Sequence, residues 1–434
     1  MPKDKIICGI DVGSSKVATV IASLGEDDRI NLIGVSAVSS KGVKKGQVVD
    51  IEEAVQAITE SIEGAERMAG YSVSSAFVSL GGPQIESINS HAVVAVAEPE
   101  GEIKENDILR VNDGARAIAL PSSREILHVV PRTFTVDGQE GIRDPIGMTG
   151  IRLETDTHII TGATTSVRNL VKCVGMVGIE VEELIFSGIA SSQAVLTETE
   201  KELGVVMVDI GGETTDVVIY VDGAIAYSSV IPLGARHVTS DIAVGLRISL
   251  ESAEKIKQWL GRKEKTPVMP QGSDLVEEKN PKKKEEEVLD LKALGITEDV
   301  QKISRKAITD SIIRPRLQEV FKYVGKEIKK SGFGAQIPSG LVVVGGGSLT
   351  VGALDQAKYV LGFPARTGKA EGFIGLTDEV EAPSFAAAAG LILYGAKKPM
   401  SGGGGASSLQ VLGKGLPIKQ LTQKFQDLVK SLLP

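Results

Sequence analysis

The stretch VVMVDIGGETTDVVIYV, residues 205–221, consists of an apolar strand, a short turn and a second apolar strand. The same arrangement occurs near the N-terminus, where residues 6–22 read IICGIDVGSSKVATVIA. In both copies an Asp-x-Gly sequence closes the first strand, at Asp209 and at Asp11. This pattern is typical of a β-hairpin. Two matching hairpins in one chain predict two related lobes, each of which begins with the same hairpin.

Each turn has small residues whose backbone N–H groups can approach an anion closely. In the first turn the hydroxyls of Ser14 and Ser15 can donate to that anion, and Lys16 adds positive charge. Asp11 would face a metal-bound water beside it. A plain β-turn has the same composition, so either hairpin alone leaves both interpretations open. The residues assigned to the two facing turns are Asp11, Gly13, Ser14, Ser15, Lys16, Asp209, Gly211, Gly212 and Thr214.

A third segment, LVVVGGGSLT at residues 341–350, is a buried strand that runs into a glycine turn. Because glycine has no side chain, the backbone of Gly345, Gly346, Gly347 and Ser348 could approach a nucleoside closely. A glycine run alone is weak evidence. The two hairpins and this turn, in this order, together predict a nucleotide site between the lobes.

The 434 residues are 42% hydrophobic and 24% charged, which is an ordinary soluble globular composition. The net charge of −8 argues against a general nucleic-acid binder. Cys8 and Cys173 lie in apolar stretches without metal-ligand spacing, which predicts buried thiols in a reducing compartment. The charged, proline-bearing stretch 262–288 predicts a solvated surface loop.

The C-terminal region combines a glycine spacer with an amphipathic segment. SGGGGASS, at 401–408, cannot belong to a packed domain, and it predicts a flexible linker over 397–415. From Lys397 onward there are six lysines and one acidic residue, so a basic tail follows an acidic body. A helix over 416–434 could dock on the body, fill a partner's groove or lie in a membrane interface. Its apolar stripe consists of Ile418, Leu421, Phe425, Leu428 and Leu432.

With the two hairpins and the glycine turn in order, the chain resembles the actin-like ATPase superfamily. It resembles the FtsA family of bacterial cell-division proteins more closely. The stretches that carry this resemblance are LIFSGIASSQAVLTETEKELGVVMVDIGGETTD (184–216), VIPLGARHVTSDIA (230–243), GFIGLTD (372–378) and the tethered C-terminal helix. The resemblance implies an α/β, actin-like two-lobed fold with ATP and Mg²⁺ in the interlobe cleft. Asp11 and Asp209 would contact the metal through water.

The resemblance also implies the domain organisation. The inserted subdomain would replace actin's usual first-lobe insertion. The expected divisions are the first-lobe core at 1–84 with 163–203, the inserted subdomain at 85–162, the second lobe at 204–396 with an outer subdomain at about 240–335, the linker at 397–415 and the membrane-targeting helix at 416–434.

Finer residue roles follow from the resemblance alone. Gln193 matches the actin residue that positions the attacking water, although a polar residue in a crossing helix would look the same. Glu254 and Lys257 match the residues that flank the ribose and the base, and solvated helix charges are the alternative. Glu213 stands where relatives usually have a third glycine. A carboxylate beside phosphates costs free energy unless it points outward or meets the metal.

The implied function is that of an ATP-binding, self-assembling protein that anchors the FtsZ ring to the inner face of the cytoplasmic membrane. It would be peripheral, held at the division site by its C-terminal helix and anionic lipids. The acidic C-terminal peptide of FtsZ would bind near Arg314 and Arg316, although solvated arginines in a first helical turn are the alternative. Other division proteins could contact the inserted subdomain, and ATP hydrolysis stays open. A pilus-assembly adaptor and a small-molecule kinase of the same fold are the competing functions.

Overall fold

The computed structural model describes residues 5–25, 28–97, 101–262, 289, 294–296, 298 and 304–398. The predicted loop after Arg262, the linker beyond Lys398 and the C-terminal helix lie outside the described residues. The strands are β1 (Lys5–Val12), β2 (Lys16–Leu24), β3 (Ile30–Ser39), β4 (Val43–Lys44), β5 (Gln47–Val48), β6 (Ser75–Leu80), β7 (Glu86–Ala95), β8 (Arg124–Val136), β9 (Gln139–Ile142), β10 (Arg152–Ala163), β11 (Glu180–Phe186), β12 (Val205–Ile210), β13 (Thr215–Val221), β14 (Ala224–Ile231), β15 (Leu341–Val344), β16 (Ala365–Thr367) and β17 (Phe373–Gly375).

The helices follow the apolar periodicity of the sequence. For example, Asp50 caps the first helix by accepting from the N–H of Glu53, and Gly70 ends it with a φ of 65°. The α-helices are α1 (Ile51–Ala69), α2 (Glu105–Arg116), α3 (Thr164–Met176), α4 (Ser187–Val195), α5 (Glu198–Leu203), α6 (Ala235–Leu246), α7 (Leu250–Arg262), α8 (Arg305–Ile308), α9 (Arg314–Ser331), α10 (Ala353–Leu361), α11 (Thr377–Val380) and α12 (Ala386–Lys397), with a π-helical turn at Thr309–Ile313 and 3₁₀ turns at Gly346–Leu349 and Pro383–Phe385.

Two sheets of matching topology form the body. In the first, β3, β2 and β1 run antiparallel, and β6 and β11 continue the sheet in parallel. In the second, β14, β13 and β12 run antiparallel, and β15 and β16 continue in parallel. Both predicted hairpins are present, as β1–β2 and β12–β13. The repeated strand order agrees with the prediction of two related lobes.

A separate antiparallel sheet, in the order β7-β10-β8-β9, lies between β6 and α3 in the chain. Helix α2 covers one face of it, with Ile103, Val111 and Leu153 completely buried. The sheet begins at Glu86 and ends at Ala163, close to the predicted limits of the inserted subdomain at 85–162.

The last described residues show that the expected C-terminal boundary of the second lobe was wrong. Residues 373–396 were expected in the second lobe, but β17 pairs with β3 of the first sheet and α12 packs on β1. The chain therefore returns to the first lobe before its tail. The physical reason is burial, because α12 is mostly apolar and its Leu391 and Ile392 are completely buried against β1.

Helix α4 lies between the two sheets and packs closely against α12. At their contact, a methyl group on Gly390 would lie 1.7 Å from the carbonyl oxygen of Ala190. Glycine is therefore required for this approach of the two backbones. Gly175 in α3 offers the contrast, since a methyl group there would meet nothing within 4 Å.

We expect Gly390→Ala to lower the free energy of unfolding by about 1–3 kcal/mol, because the added methyl forces α12 away from α4. The matched change Gly175→Ala should be neutral or stabilise by about 0.4–1 kcal/mol. Urea denaturation followed by circular dichroism measures both. Equal unfolding midpoints for the parent and Gly390→Ala would contradict this packing.

Candidate functional site

The two hairpin turns have the same local geometry. In the first, the N–H of Gly13 donates to the carbonyl of Lys16 at 3.0 Å. In the second, the N–H of Gly211 donates to the carbonyl of Thr214 at 2.9 Å. The turns face each other across the cleft, because a methyl group on Gly212 would lie 2.7 Å from Cβ of Ser15.

An aspartate closes the first strand of each hairpin, and each is held by a serine. Asp11 Oδ1 accepts from Ser79 Oγ at 2.6 Å. Asp209 Oδ2 accepts from Ser191 Oγ of α4 at 2.5 Å. The predicted pair of aspartates is thus brought together in one cleft, with the hydroxyl of Ser191 reaching across from the helix between the lobes.

A third carboxylate, which the sequence reasoning did not single out, lies beside them. Asp216 begins the return strand of the second hairpin and is only 5% exposed. Its Oδ2 accepts from Ser187 Oγ at 2.5 Å, and its Oδ1 is a buried oxygen without a hydrogen-bond partner. Ser187 and Ser191 are one helical turn apart, so their hydroxyls lie on the same face of α4. Two serines at i, i+4 spacing, shortly before a strand that ends in Asp-x-Gly, are the sequence signal that could have identified these two serines.

The three carboxylates have one cation, Lys16, among them. Burial raises the pKa of Asp216 to about 8, and the neighbouring Asp209 adds to the effect. Burial also raises the pKa of Asp209 to about 6 and raises that of Asp11. Burial lowers the pKa of Lys16 to about 8, against the pull of Asp11 and Asp209. If all three carboxyls were ionised, they would carry more negative charge than Lys16 neutralises, so part of this charge is held off as bound protons in the ligand-free site.

The donor set fits a cation held through water. Among the described residues, no group of three or more His, Cys, Asp or Glu side chains could hold a metal directly. Asp216 Oδ1 is nevertheless a buried acceptor without a hydrogen-bond partner. A hydrated divalent cation would satisfy that oxygen and offset the excess charge.

The glycine turn packs against the end of β12. Gly345 has a φ of 80°, and a methyl group there would lie 2.2 Å from Asp209 Oδ1. A methyl group on Gly347 would lie 2.3 Å from Cγ2 of Ile210. Ser348 Oγ donates to the carbonyl of Gly345 at 2.8 Å. Packing alone therefore requires two of the three glycines, whereas Gly346 meets only Ser384, at 3.9 Å.

The predicted nucleoside-flanking pair lies between α6 and α7, whose end reaches the glycine turn. A methyl group on Gly261 would lie 2.4 Å from the carbonyl oxygen of Leu349. Glu254 and Lys257 form an ion pair of 2.7 Å, and both contact the hydroxyl of Thr239. The two charges are thus held in one network, and Lys257 is 8% exposed. Lys257 is therefore buried, and the alternative that it is a solvated charge on a helix surface does not hold.

The structure does not bring Gln193 to the turns. Its Oε1 accepts from Lys397 Nζ at 2.8 Å, at the end of α12. Lys5, at the start of β1, donates to the carbonyls of Gly395 and Lys398 there, at the opposite end of that strand from Gly13. The physical reason is helical rotation. Two residues after Ser191, a side chain points about 200° away from it.

The two arginines predicted to meet a partner peptide already pair with carboxylates of this chain. Arg316 Nε and Nη2 donate to both oxygens of Asp241, at 2.6 and 2.9 Å, and Nη1 contacts Glu319. Arg314 pairs with Asp310 at 2.7 Å. Their side chains are 25% and 47% exposed, so Arg314 is the more accessible of the two.

The carboxylate of Glu213 is held by two contacts outside its own turn. Its Oε2 accepts from the backbone N–H of Lys45 at 2.6 Å, and its Oε1 pairs with Arg236 Nη1 at 3.2 Å. These contacts reduce the conflict that the sequence raised. The five residues of the predicted apolar tail stripe lie outside the described residues. Within the described part of the chain, no helix has the length and hydrophobicity to cross a bilayer.

Comparisons with known proteins give one consistent family. A family profile described as "SHS2 domain inserted in FTSA" matches residues 82–161, and one described as "Cell division protein FtsA" matches residues 206–390. The chain is 38% identical to the cell division protein FtsA of Pseudomonas aeruginosa, over 92% of this chain and 91% of that protein. It is 39% identical to that of Borreliella burgdorferi, over 90% of each. For Escherichia coli K12 the identity is 33%, over 92% of each.

Among solved structures, a type IV pilus biogenesis complex of PilM and PilN superposes with a TM-score of 0.61. The sequence identity is 17%, and the match covers 90% of this chain and 99% of that one. At this identity the match supports the fold alone. Together with the family matches, it confirms the expected actin-like two-lobed fold.

The raised pKa of Asp216 makes stability depend on pH. At pH values below about 4 the carboxyl is protonated in both folded and unfolded chains. As the pH rises towards 8, the unfolded chain ionises this group while the folded chain keeps its proton, so the free energy of unfolding falls. We expect Asp216→Asn to stabilise the ligand-free protein more at pH 8 than at pH 4.5, by at least about 1 kcal/mol.

Urea denaturation of the parent and Asp216→Asn at both pH values measures this difference. Asp113→Asn serves as the control, because its carboxylate is 73% exposed on α2. A stability gain that is the same at pH 4.5 and pH 8 would show that Asp216 is not held in its protonated form.

Proposed function

The chain belongs to the FtsA family of cell division proteins, and on this premise we propose that it binds Mg-ATP between its lobes, self-assembles and ties the division ring to a membrane. The proposal that it binds a nucleotide rests on one observation, the close approach of two hairpin turns with matching hydrogen bonds, one from each sheet. Phosphates would lie against the N–H groups of those turns, with Lys16 close by. Asp11 and Asp209 would hold Mg²⁺ through water.

The charge of the cleft supports Mg²⁺ as the partner of the nucleotide. When bound, the ion supplies positive charge that Lys16 alone does not provide. The residues of the chain hold that site in place beforehand, because Ser79, Ser191 and Ser187 fix one oxygen of each carboxylate. The second oxygen of Asp216, a buried atom without a hydrogen-bond partner, would accept from water in the metal's shell. If Gln193 positions the attacking water, its side-chain amide must first break its hydrogen bond with Lys397.

The nucleoside would lie between α7 and the glycine turn. Gly346 is the glycine whose Cβ position is open, so its backbone is the one a base or ribose could approach. Glu254 and Lys257 stand on the facing helix, where they hold each other through Thr239. A ribose hydroxyl could bind Glu254 without displacing Lys257, because the carboxylate has further acceptor capacity.

For the partner peptide, the structure favours Arg314 over Arg316 as the contact. Arg316 is bound at both ends of its guanidinium by Asp241 and Glu319, so an incoming carboxylate would have to displace one of them. Arg314 pairs with Asp310 of the preceding π-helical turn, and its side chain is more exposed than that of Arg316. We propose that an acidic FtsZ peptide exchanges with Asp310 at Arg314. Self-assembly and contacts of the inserted subdomain with other division proteins are proposed from family membership alone.

We expect Asp209→Ala to weaken Mg-ATP binding at least about tenfold, or 1.4 kcal/mol, because it removes one of the two carboxylates that face the metal. Titration calorimetry with Mg-ATP measures the loss. Asp209→Asn keeps an acceptor for Ser191 and the size of the side chain, so a similar loss there would assign the effect to charge. Binding unchanged in Asp209→Ala and in Asp11→Ala would remove the site.

The C-terminal segment is proposed as the membrane contact. Burying the side chains of its apolar stripe would contribute about 1.5–3 kcal/mol each, while the lysines add less. We expect Leu428→Asp to detach the protein from anionic vesicles in co-sedimentation, since it places a charge in the stripe. Lys424→Gln is the control and should weaken binding only modestly, more at low salt. Co-sedimentation of Leu428→Asp at the parent level would exclude the membrane role.

A further inference from the structure

The short hairpin of β4 and β5 ends in a two-residue turn, formed by Lys45 and Gly46. Both residues have positive φ values, 49° and 71°, which is the conformation of a type I′ turn. Glycine adopts it freely, whereas lysine rarely does. An interaction that holds Lys45 in place is therefore expected.

The two backbone N–H groups of this turn donate to the two hairpin turns, one in each lobe. The N–H of Gly46 donates to Ser14 Oγ in the first-lobe turn, at 2.8 Å. The N–H of Lys45 donates to Glu213 Oε2 in the second-lobe turn, at 2.6 Å. Adjacent backbone groups thus connect both nucleotide turns to one small hairpin.

The hairpin itself is fixed to the first lobe. A methyl group on Gly46 would lie 2.7 Å from the carbonyl carbon of Gly81, so the turn is in direct contact with that backbone. Gln47 Nε2 donates to Gln84 Oε1 at 2.9 Å, and Gln84 Nε2 donates to the carbonyl of Gly81 at 2.5 Å. The N–H of Lys45 is therefore a donor in a fixed position on the first lobe.

The side chain of Glu213 is likewise held in place by contacts within the second lobe. Its side chain is 15% exposed, and Arg236 at the start of α6 pairs with the oxygen that Lys45 does not use. The N–H of Arg236 also donates to the carbonyl of Gly212 at 2.7 Å, which holds the helix start against the same turn. Both ends of the Glu213–Lys45 contact are thus positioned by their own lobes.

We propose that Glu213 is a positioning residue that latches the two lobes closed over the nucleotide by binding the N–H of Lys45. The proposal rests on the nucleotide site proposed above. Leaving the cleft requires the two turns to separate, and separation breaks this bond. The carboxylate therefore slows nucleotide release without contacting the nucleotide.

The latch and a simple charge effect predict opposite results when Glu213 is removed. A negative charge near phosphates repels them, so its loss alone would slow release. Loss of the latch would speed release instead. Removing a charge-assisted hydrogen bond of this kind is expected to speed release roughly tenfold, equivalent to about 1.4 kcal/mol.

Stopped-flow release of a fluorescent ATP analogue with Mg²⁺ tests this on the full-length protein. Glu213→Ala should release it roughly tenfold faster than the parent. Glu213→Gln retains an acceptor for Lys45 and should stay closer to the parent. The control Glu251→Ala removes an exposed acid that pairs within α7 and should change nothing. Equal or slower release in Glu213→Ala would overturn the latch.

Hydrogen exchange of the nucleotide-free protein provides a second readout. The peptide that contains Lys45 should exchange faster in Glu213→Ala than in the parent and in Glu251→Ala. This measurement needs no nucleotide, so it separates the latch from the site it serves. If no variant binds nucleotide, the proposed site fails while faster exchange would still support the interlobe contact. Unchanged exchange at Lys45 would overturn the latch.

Discussion

The fold brings three carboxylates and one lysine together in a buried space. Asp11, Asp209 and Asp216 come from the matching ends of two hairpins, and Lys16 lies over the ring of Phe385 at 3.4 Å from its centroid. Charges of one sign in such a space repel strongly. The folded chain tolerates them because hydroxyls hold one oxygen of each carboxylate and because burial raises their pKa values. Ionisation of all three carboxyls would leave negative charge that Lys16 does not neutralise, and this is the property that suits the site to a cation and its nucleotide.

Much of the architecture serves to keep that space assembled. Helix α4 provides Ser187 and Ser191 from between the sheets, and α12 can lie against α4 only because Gly390 has no side chain. Gly345 allows the glycine turn to rest on Asp209. These contacts connect the return of the chain to the first lobe with the geometry of the carboxylates. The same return places the start of the C-terminal tail at the end of β1 away from the cleft.

The sequence predicted what depends on local pattern. The two hairpins and the strand before Gly345 were all predicted from apolar runs and the positions of glycines. Features that depend on contacts between residues far apart in the sequence could not be predicted. No local signal indicates that residues 373–375 join the first sheet, that α12 packs on that sheet, or that Lys45 is the partner of Glu213. Gln193 was assigned to the site from the residues around it in the sequence. In the structure, the helical rotation of α4 directs its side chain towards Lys397. Ser191 and Ser187 of the same helix instead donate hydrogen bonds to Asp209 and Asp216.

The central claim is that both hairpin turns and the glycine turn bind one ligand at the same time. Hydrogen exchange of the full-length protein with and without Mg-ATP tests it most directly. The account predicts that the peptides containing Gly13, Gly211 and Gly346 gain protection together, at one Mg-ATP concentration midpoint. Protection confined to one turn, or none at any of them at saturating Mg-ATP, would contradict the account.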